Sequence, residues 1–136
     1  MTRPVNLGAQ ATSLATFRPD KLARFGGRYR APLGGMYRVA RECVLALLGE
    51  PSAREDPEVD AELFSRVINA MPPGHELATT VRLLGELRPF RYEGQMLLPF
   101  DPAGDTARER AAVAWEQAAS LLVYATATQR DREVGG

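Results

Sequence analysis

One cysteine, one histidine, one tryptophan and one lysine are spread over 136 residues. Each scarcity excludes something. A single cysteine, Cys43, cannot close an intrachain disulfide. With one histidine and one cysteine there is no CxxC, no HExxH and no histidine pair, so no metal-ligand spacing is present and neither a metal nor a cofactor is expected. Catalysis would have to be built from Cys43 and His75 without a third group or a local signature, so no catalytic residue is assigned and the chain is read as non-enzymatic. His75 follows Pro-Pro-Gly and reads as a solvent-facing or helix-capping residue. The glycines of "FGGRYRAPLGG" do not follow a strand, which removes the dinucleotide fingerprint. Acidic pairs such as Glu58/Glu62 and Glu109/Glu116 read as solvated helix faces. No run approaches the roughly 20 apolar residues of a membrane span. The first residues also lack the apolar stretch of a signal peptide. The expected location is cytoplasmic, with no membrane partner and no evident small-molecule substrate.

What is present is ordinary in amount and unusual in distribution. A hydrophobic fraction of 45% and a charged fraction of 25% fit one globular domain with a core of its own. Formal net charge is zero, yet the charges are segregated. Residues 1–41 carry Arg3, Arg18, Lys21, Arg24, Arg28, Arg30, Arg38 and Arg41 against Asp20 alone. The remainder carries nine basic and 16 acidic residues. Such asymmetry points to a polyanionic partner or to the pairing of unlike surfaces. All basic residues but Lys21 are arginine, the side chain best suited to planar recognition of phosphate and carboxylate, although a GC-rich genome would give the same bias.

Residues 1–35 show no sustained period and are broken by Pro4, Gly8, Pro19, Gly26, Gly27, Pro32, Gly34 and Gly35. They are expected to form an irregular basic arm, with a short helical turn at "PDKLARF". A helical domain follows over residues 36–130, with a tail at 131–136. Its first helix runs from about Met36 to Leu48, stopped by Gly49 and Pro51; Cys43 lies on its apolar face as a small hydrophobe. The second is capped by Asp56, starts at Pro57 and carries Glu58, Asp60 and Glu62 at its positive end. The third covers about His75 to Leu87. Phe90 and Tyr92, then Met96 and Leu98, alternate around Glu93-Gly94, the pattern of a short hairpin or an extended crossover at residues 90–98. Thr106 and Glu109 have capping-box spacing before a long alanine-rich helix of about 24 residues. Leucines and Trp115 are assigned to the core. The expected class is all-α, with three medium helices, a hairpin or crossover and a long C-terminal helix behind the arm.

Two functions fit this layout. In the first, a protein-interaction or assembly module uses Arg18, Arg24, Phe25, Arg28, Tyr29 and Arg30 to dock on an acidic surface of a neighbouring copy or a larger protein. Arginines and aromatics are enriched at interface cores. In the second, the same arm meets nucleic acid, its arginines on phosphates and its aromatics on unpaired bases. "HELATTVRLLGELRPFRYEGQMLL" resembles the recognition-helix-plus-wing pattern of winged-helix regulators, over about residues 56–130. That resemblance implies His75, Thr79, Thr80 and Arg82 at a groove, Arg91 in the wing, and a dimerising last helix, with Arg28 and Arg30 adding phosphate contacts. Glu58, Asp60, Glu62, Glu76, Glu86 and Glu93 would oppose phosphate there. Assembly is the preferred reading.

Overall fold

The computed structural model describes residues 3–25, 30–92 and 107–135. It is all-helical: α1 Leu7–Ala15, a 3-10 segment Pro19–Phe25, α2 Arg30–Leu48, α3 Pro57–Ala70, α4 Glu76–Gly85, α5 Arg88–Tyr92 and α6 Ala107–Gly135. Helix α2 is the centre, packed by α1, α3, α4, α5 and α6. Its residues from Leu33 to Ala46 are buried on nearly every side, as an axial helix requires. The core adds Leu63, Phe64 and Val67 from α3, Val81 and Leu84 from α4, and Ala111, Ala118, Leu121 and Ala125 from α6.

Several starts and stops follow local chemistry. Asn6 and Asp56 accept backbone N–H groups at the heads of α1 and α3, and His75 does so through Nδ1 at the head of α4. Helix α2 ends in a paired-bond C-cap. Gly49 has φ +71°, its N–H donates to the Ala46 carbonyl, and the Glu50 N–H donates to that of Leu45. From the far end of α6, Arg132 donates to the carbonyls of Ala46 and Leu47 at 2.6 and 2.5 Å, placing a cation at the negative end of α2.

Three expectations are corrected. The hairpin is not there: Phe90 and Tyr92 belong to α5, and there is no strand among the described residues. Residues 93–98 lie outside them. Two alternating aromatics are a short signal, and α5 turns both inward, Phe90 into the core and the Tyr92 hydroxyl onto Asp60. Pro89 sits in the first turn of α5, where its missing N–H costs no helical bond.

The irregular arm is not there either. Val5, Leu7, Leu14 and Leu22 are core residues, and α2 begins at Arg30, with Pro32 accommodated in its first turn. The segment is also tied down by polar contacts. The Trp115 indole N–H donates to the Leu14 carbonyl at 2.8 Å, the Gln129 amide to that of Val5 at 3.2 Å, and the Ser52 N–H to that of Arg3 at 2.8 Å. Finally, α6 runs on to Gly135, through the stretch read as a tail.

Gly34 and Gly35, which read as breakers, are contact residues in α2. A Cβ on Gly35 would stand 2.6 Å from Cζ of Phe17 and closer still to Cε2, and one on Gly34 would stand 3.0 Å from the Phe90 carbonyl oxygen. Glycine lets the turn after α1 and helix α5 approach the α2 backbone closely.

Candidate partner-binding surface

The charged residues of the N-terminal third separate into two groups. Arg41 is used inside the fold, with Arg38 at its edge, 56% exposed and 3.6 Å from Glu55. Arg41 is 1% exposed, and its Nε donates to Asp60 Oδ1 at 2.7 Å. Its Nη1 and Nη2 donate to the carbonyls of Ala53 and Arg54 at 3.1 and 2.8 Å. The other oxygen of Asp60 accepts from the hydroxyls of Tyr37 and Tyr92, at 2.8 and 2.6 Å. The Tyr37 ring stacks on Phe64 and meets the edge of Tyr92. This cluster ties α2, α3, α5 and the loop before α3. Among the described residues, no buried side-chain nitrogen or oxygen lacks a hydrogen-bond partner.

The cluster's electrostatics follow from burial. Desolvation, reinforced by the hydrogen bond to Asp60, pushes both tyrosine hydroxyls well above their ordinary range, so they stay protonated donors. Burial works against the Arg41 charge, but the bond and attraction to Asp60 outweigh it and raise its pKa. Burial also raises Glu42, which lies 3.6 Å from Arg41. Closer to the surface, Glu55 takes a two-pronged bond from Arg91 at 2.9 and 2.7 Å and a looser approach from Arg38 at 3.6 Å. The Arg91 bond holds the Glu55 carboxyl below its usual range.

Arg18 and Arg24 belong to the second group. Both are exposed, one before and one within the 3-10 segment, and Arg18 has only an exposed pairing with Asp20 at 3.5 Å. Phe25 ends that segment and Arg30 opens α2. Arg28 and Tyr29 lie outside the described residues. The segment packs on α6, whereas exposed Asp56, Glu58 and Glu62 lie at the head of α3, which packs on α2 and α4.

The residues of the nucleic-acid reading are not brought together in the same way. Thr79 and Arg82 are exposed on α4 and Thr80 is half-buried there. Arg91 belongs to α5 and is engaged by Glu55. His75 caps α4 and meets the Tyr124 ring edge-on. Tyr37, Arg41, Asp60 and Tyr92 were not singled out by the sequence reading. A signal existed: Asp60 shares a stripe with Leu63, Phe64 and Val67, and Arg41 sits between Tyr37 and Val44 on another.

Two surface depressions accompany these features. One, of about 410 Å³, lies between α1, α2 and α5, with Gly34, Gly35 and Phe17 among its walls and Arg38 and Arg91 beside them. The other, of about 480 Å³, lies between α4 and α6 and is lined by Leu33, Leu83, Leu87, Phe90 and Val113. Among the described residues, no group of three or more His, Cys, Asp or Glu side chains is placed to hold a metal ion. No helix there is long and apolar enough to cross a membrane.

Cys43 is fully buried, and desolvation pushes its thiol up to about 12. Native protein at neutral pH is expected to resist alkylation by iodoacetamide, with full labelling only in denaturant. Mass spectrometry after timed labelling checks this; rapid native labelling would contradict the placement of Cys43.

The architecture is thus a small helical bundle wrapped around one buried helix. No family model, curated protein or solved structure matches the chain.

Proposed function

We propose that this chain is a non-enzymatic protein-interaction or assembly module that docks through its basic N-terminal end on an acidic protein surface. The observation that carries the reading is charge segregation that persists after internal pairing. Arg41 is taken by Asp60 inside the fold, yet Arg18, Arg24 and Arg38 stay exposed, and the segment bearing Arg18 and Arg24 continues in sequence into Arg28, Tyr29 and Arg30. Cations at a rim steer encounter and set partner choice more than they add affinity. An acidic protein surface is preferred over nucleic acid because α3 and α4 carry exposed Asp56, Glu58, Glu62, Glu76 and Glu86 beside Arg82. A nucleic-acid backbone approaching that face would be repelled.

The test is affinity capture by the immobilised full-length chain and by an Arg18→Glu/Arg24→Glu variant, at low and high salt, with and without nuclease. The reading expects a protein partner that is lost at high salt, lost with the variant, and retained after nuclease. Both substitutions are at exposed positions, so circular dichroism should be unchanged. Capture that disappears with nuclease would replace this reading with the nucleic-acid one. Capture indifferent to the variant would remove the basic end from the site.

A further inference from the structure

Helix α6 has 29 residues and spans roughly 43 Å. Its inner face, Ala111, Ala114, Ala118, Leu121, Leu122 and Ala125, is core. The opposite face carries Val113, Glu116, Ser120, Val123, Ala127, Arg130 and Val134, all exposed. These positions recur at alternating intervals of three and four, so they form one continuous stripe. Val113, Val123 and Val134 are 55%, 71% and 85% exposed. Single exposed apolar residues are normal and need no explanation. Three valines spaced along one stripe, with small Ser120 and Ala127 between them, form a narrow apolar seam.

The charges on the stripe say what covers it. Glu116 lies seven residues before Val123, and Arg130 lies seven residues after it. Seven residues are about two helical turns, so both charges stay on the valine stripe. Neither takes part in an ion pair among the described residues. If a second α6 is laid antiparallel across the first with the two Val123 side chains at the centre, Glu116 of each copy falls level with Arg130 of the other. Ser120 then falls near Ala127, two small residues that let the helices approach closely, and Val113 falls near Val134. A parallel alignment would instead oppose Glu116 to Glu116 and Arg130 to Arg130. The stripe is self-complementary in one direction only, which is the requirement for a two-fold interface.

We infer that the outer face of α6 is a homodimerisation surface on which a second copy of this chain packs antiparallel, with paired Glu116–Arg130 contacts flanking a Val123 centre. The surface is distinct from the basic end and does not depend on it. One helix pair is smaller than a standard specific interface of roughly 1,200 Å² or more, so the dimer is expected to be reversible, with a dissociation constant in the micromolar range or weaker.

Sedimentation velocity of the full chain over a concentration series reaching about 1 mM tests this. Wild type is expected to shift from monomer to dimer. Glu116→Arg alone and Arg130→Glu alone each place like charges across the seam twice, and each is expected to weaken dimerisation at least tenfold. The double variant exchanges the two charges and is expected to restore it. Both residues are surface positions, so circular dichroism should report the same helix content throughout. A wild type that stays monomeric across the series would overturn the inference, as would single variants that dimerise like wild type or a double variant that is not restored. Arg18→Glu/Arg24→Glu is the control: it should leave this dimer intact. If it abolishes self-association while the α6 variants do not, copies meet through the basic end, and the α6 inference fails while the proposed function stands.

Discussion

Replacing Asp60 with alanine is expected to lower the unfolding free energy by about 3–5 kcal/mol, the cost of removing one partner from a buried ion pair. The magnitude comes from what is left behind. Arg41, 1% exposed, would keep its charge with no counter-ion on its Nε side, and the hydroxyls of Tyr37 and Tyr92 would lose their shared acceptor. Glu42 does not take over, since its carboxylate stands 3.6 Å from Nη1, and burial already disfavours its charged form. Globular domains are stable by about 5–15 kcal/mol, so this one change would remove a large part of the total. Urea denaturation followed by circular dichroism at neutral pH measures it.

The same argument predicts an asymmetry. Removing every polar member together, as Tyr37→Phe, Arg41→Met, Asp60→Leu and Tyr92→Phe, should recover most of the loss, because no buried group is then left unpaired. An Asp60→Ala cost under about 1 kcal/mol would show that water reaches the cluster. A quadruple variant no better than Asp60→Ala would show that the cluster fixes the packing of α2, α3 and α5 beyond its pairing energy.

Asp60 also marks where the sequence is readable and where it is not. The helices of the second and third quarters were legible because their ends are written in local chemistry: Asp56 with Pro57, His75 after Pro-Pro-Gly, and Gly49 with Pro51. Asp60 was read as one more acid favouring the positive end of α3. The same residue type serves a helix terminus and a buried pair, and only the partner nineteen residues away distinguishes them. Helix α5 was misread because two aromatics two apart fit a strand, and their actual partners, Gly34 and Asp60, lie more than thirty residues upstream. The N-terminal third was misread for a related reason. Proline and glycine read as breakers, yet Pro32 falls where a helix tolerates it and Gly34 and Gly35 fall where two neighbours touch the backbone. The candidate surface was legible only as a composition. That Arg41 does not face solvent depends on Asp60, which no local pattern connects to it.

Gly35→Ala should destabilise the protein even though it improves a helix. In an exposed helix interior this exchange would favour folding by about 1 kcal/mol. Here the new methyl would stand 2.6 Å from Cζ of the Phe17 ring and nearer still to Cε2, well inside van der Waals contact. Overpacking of this kind costs about 1–3 kcal/mol, so the clash is expected to outweigh the propensity gain. The sign depends on the ring, and that makes the cause separable. A Phe17→Ala background removes the three atoms nearest the new methyl, and Gly35→Ala should become neutral or stabilising. The two substitutions should therefore be non-additive by about 0.5–3 kcal/mol, as expected for residues in direct contact. Urea denaturation of the four proteins in this cycle gives the coupling. Additive effects would mean that Phe17 does not pack on the α2 backbone. The contact reaches the proposed surface as well, because Phe17 immediately precedes Arg18 and the 3-10 segment bearing Arg24. Gly35 thus sets where that segment leaves the core, and Gly35→Ala should weaken partner capture along with stability, whereas the double variant should recover neither the ring's anchoring nor the position of Arg18.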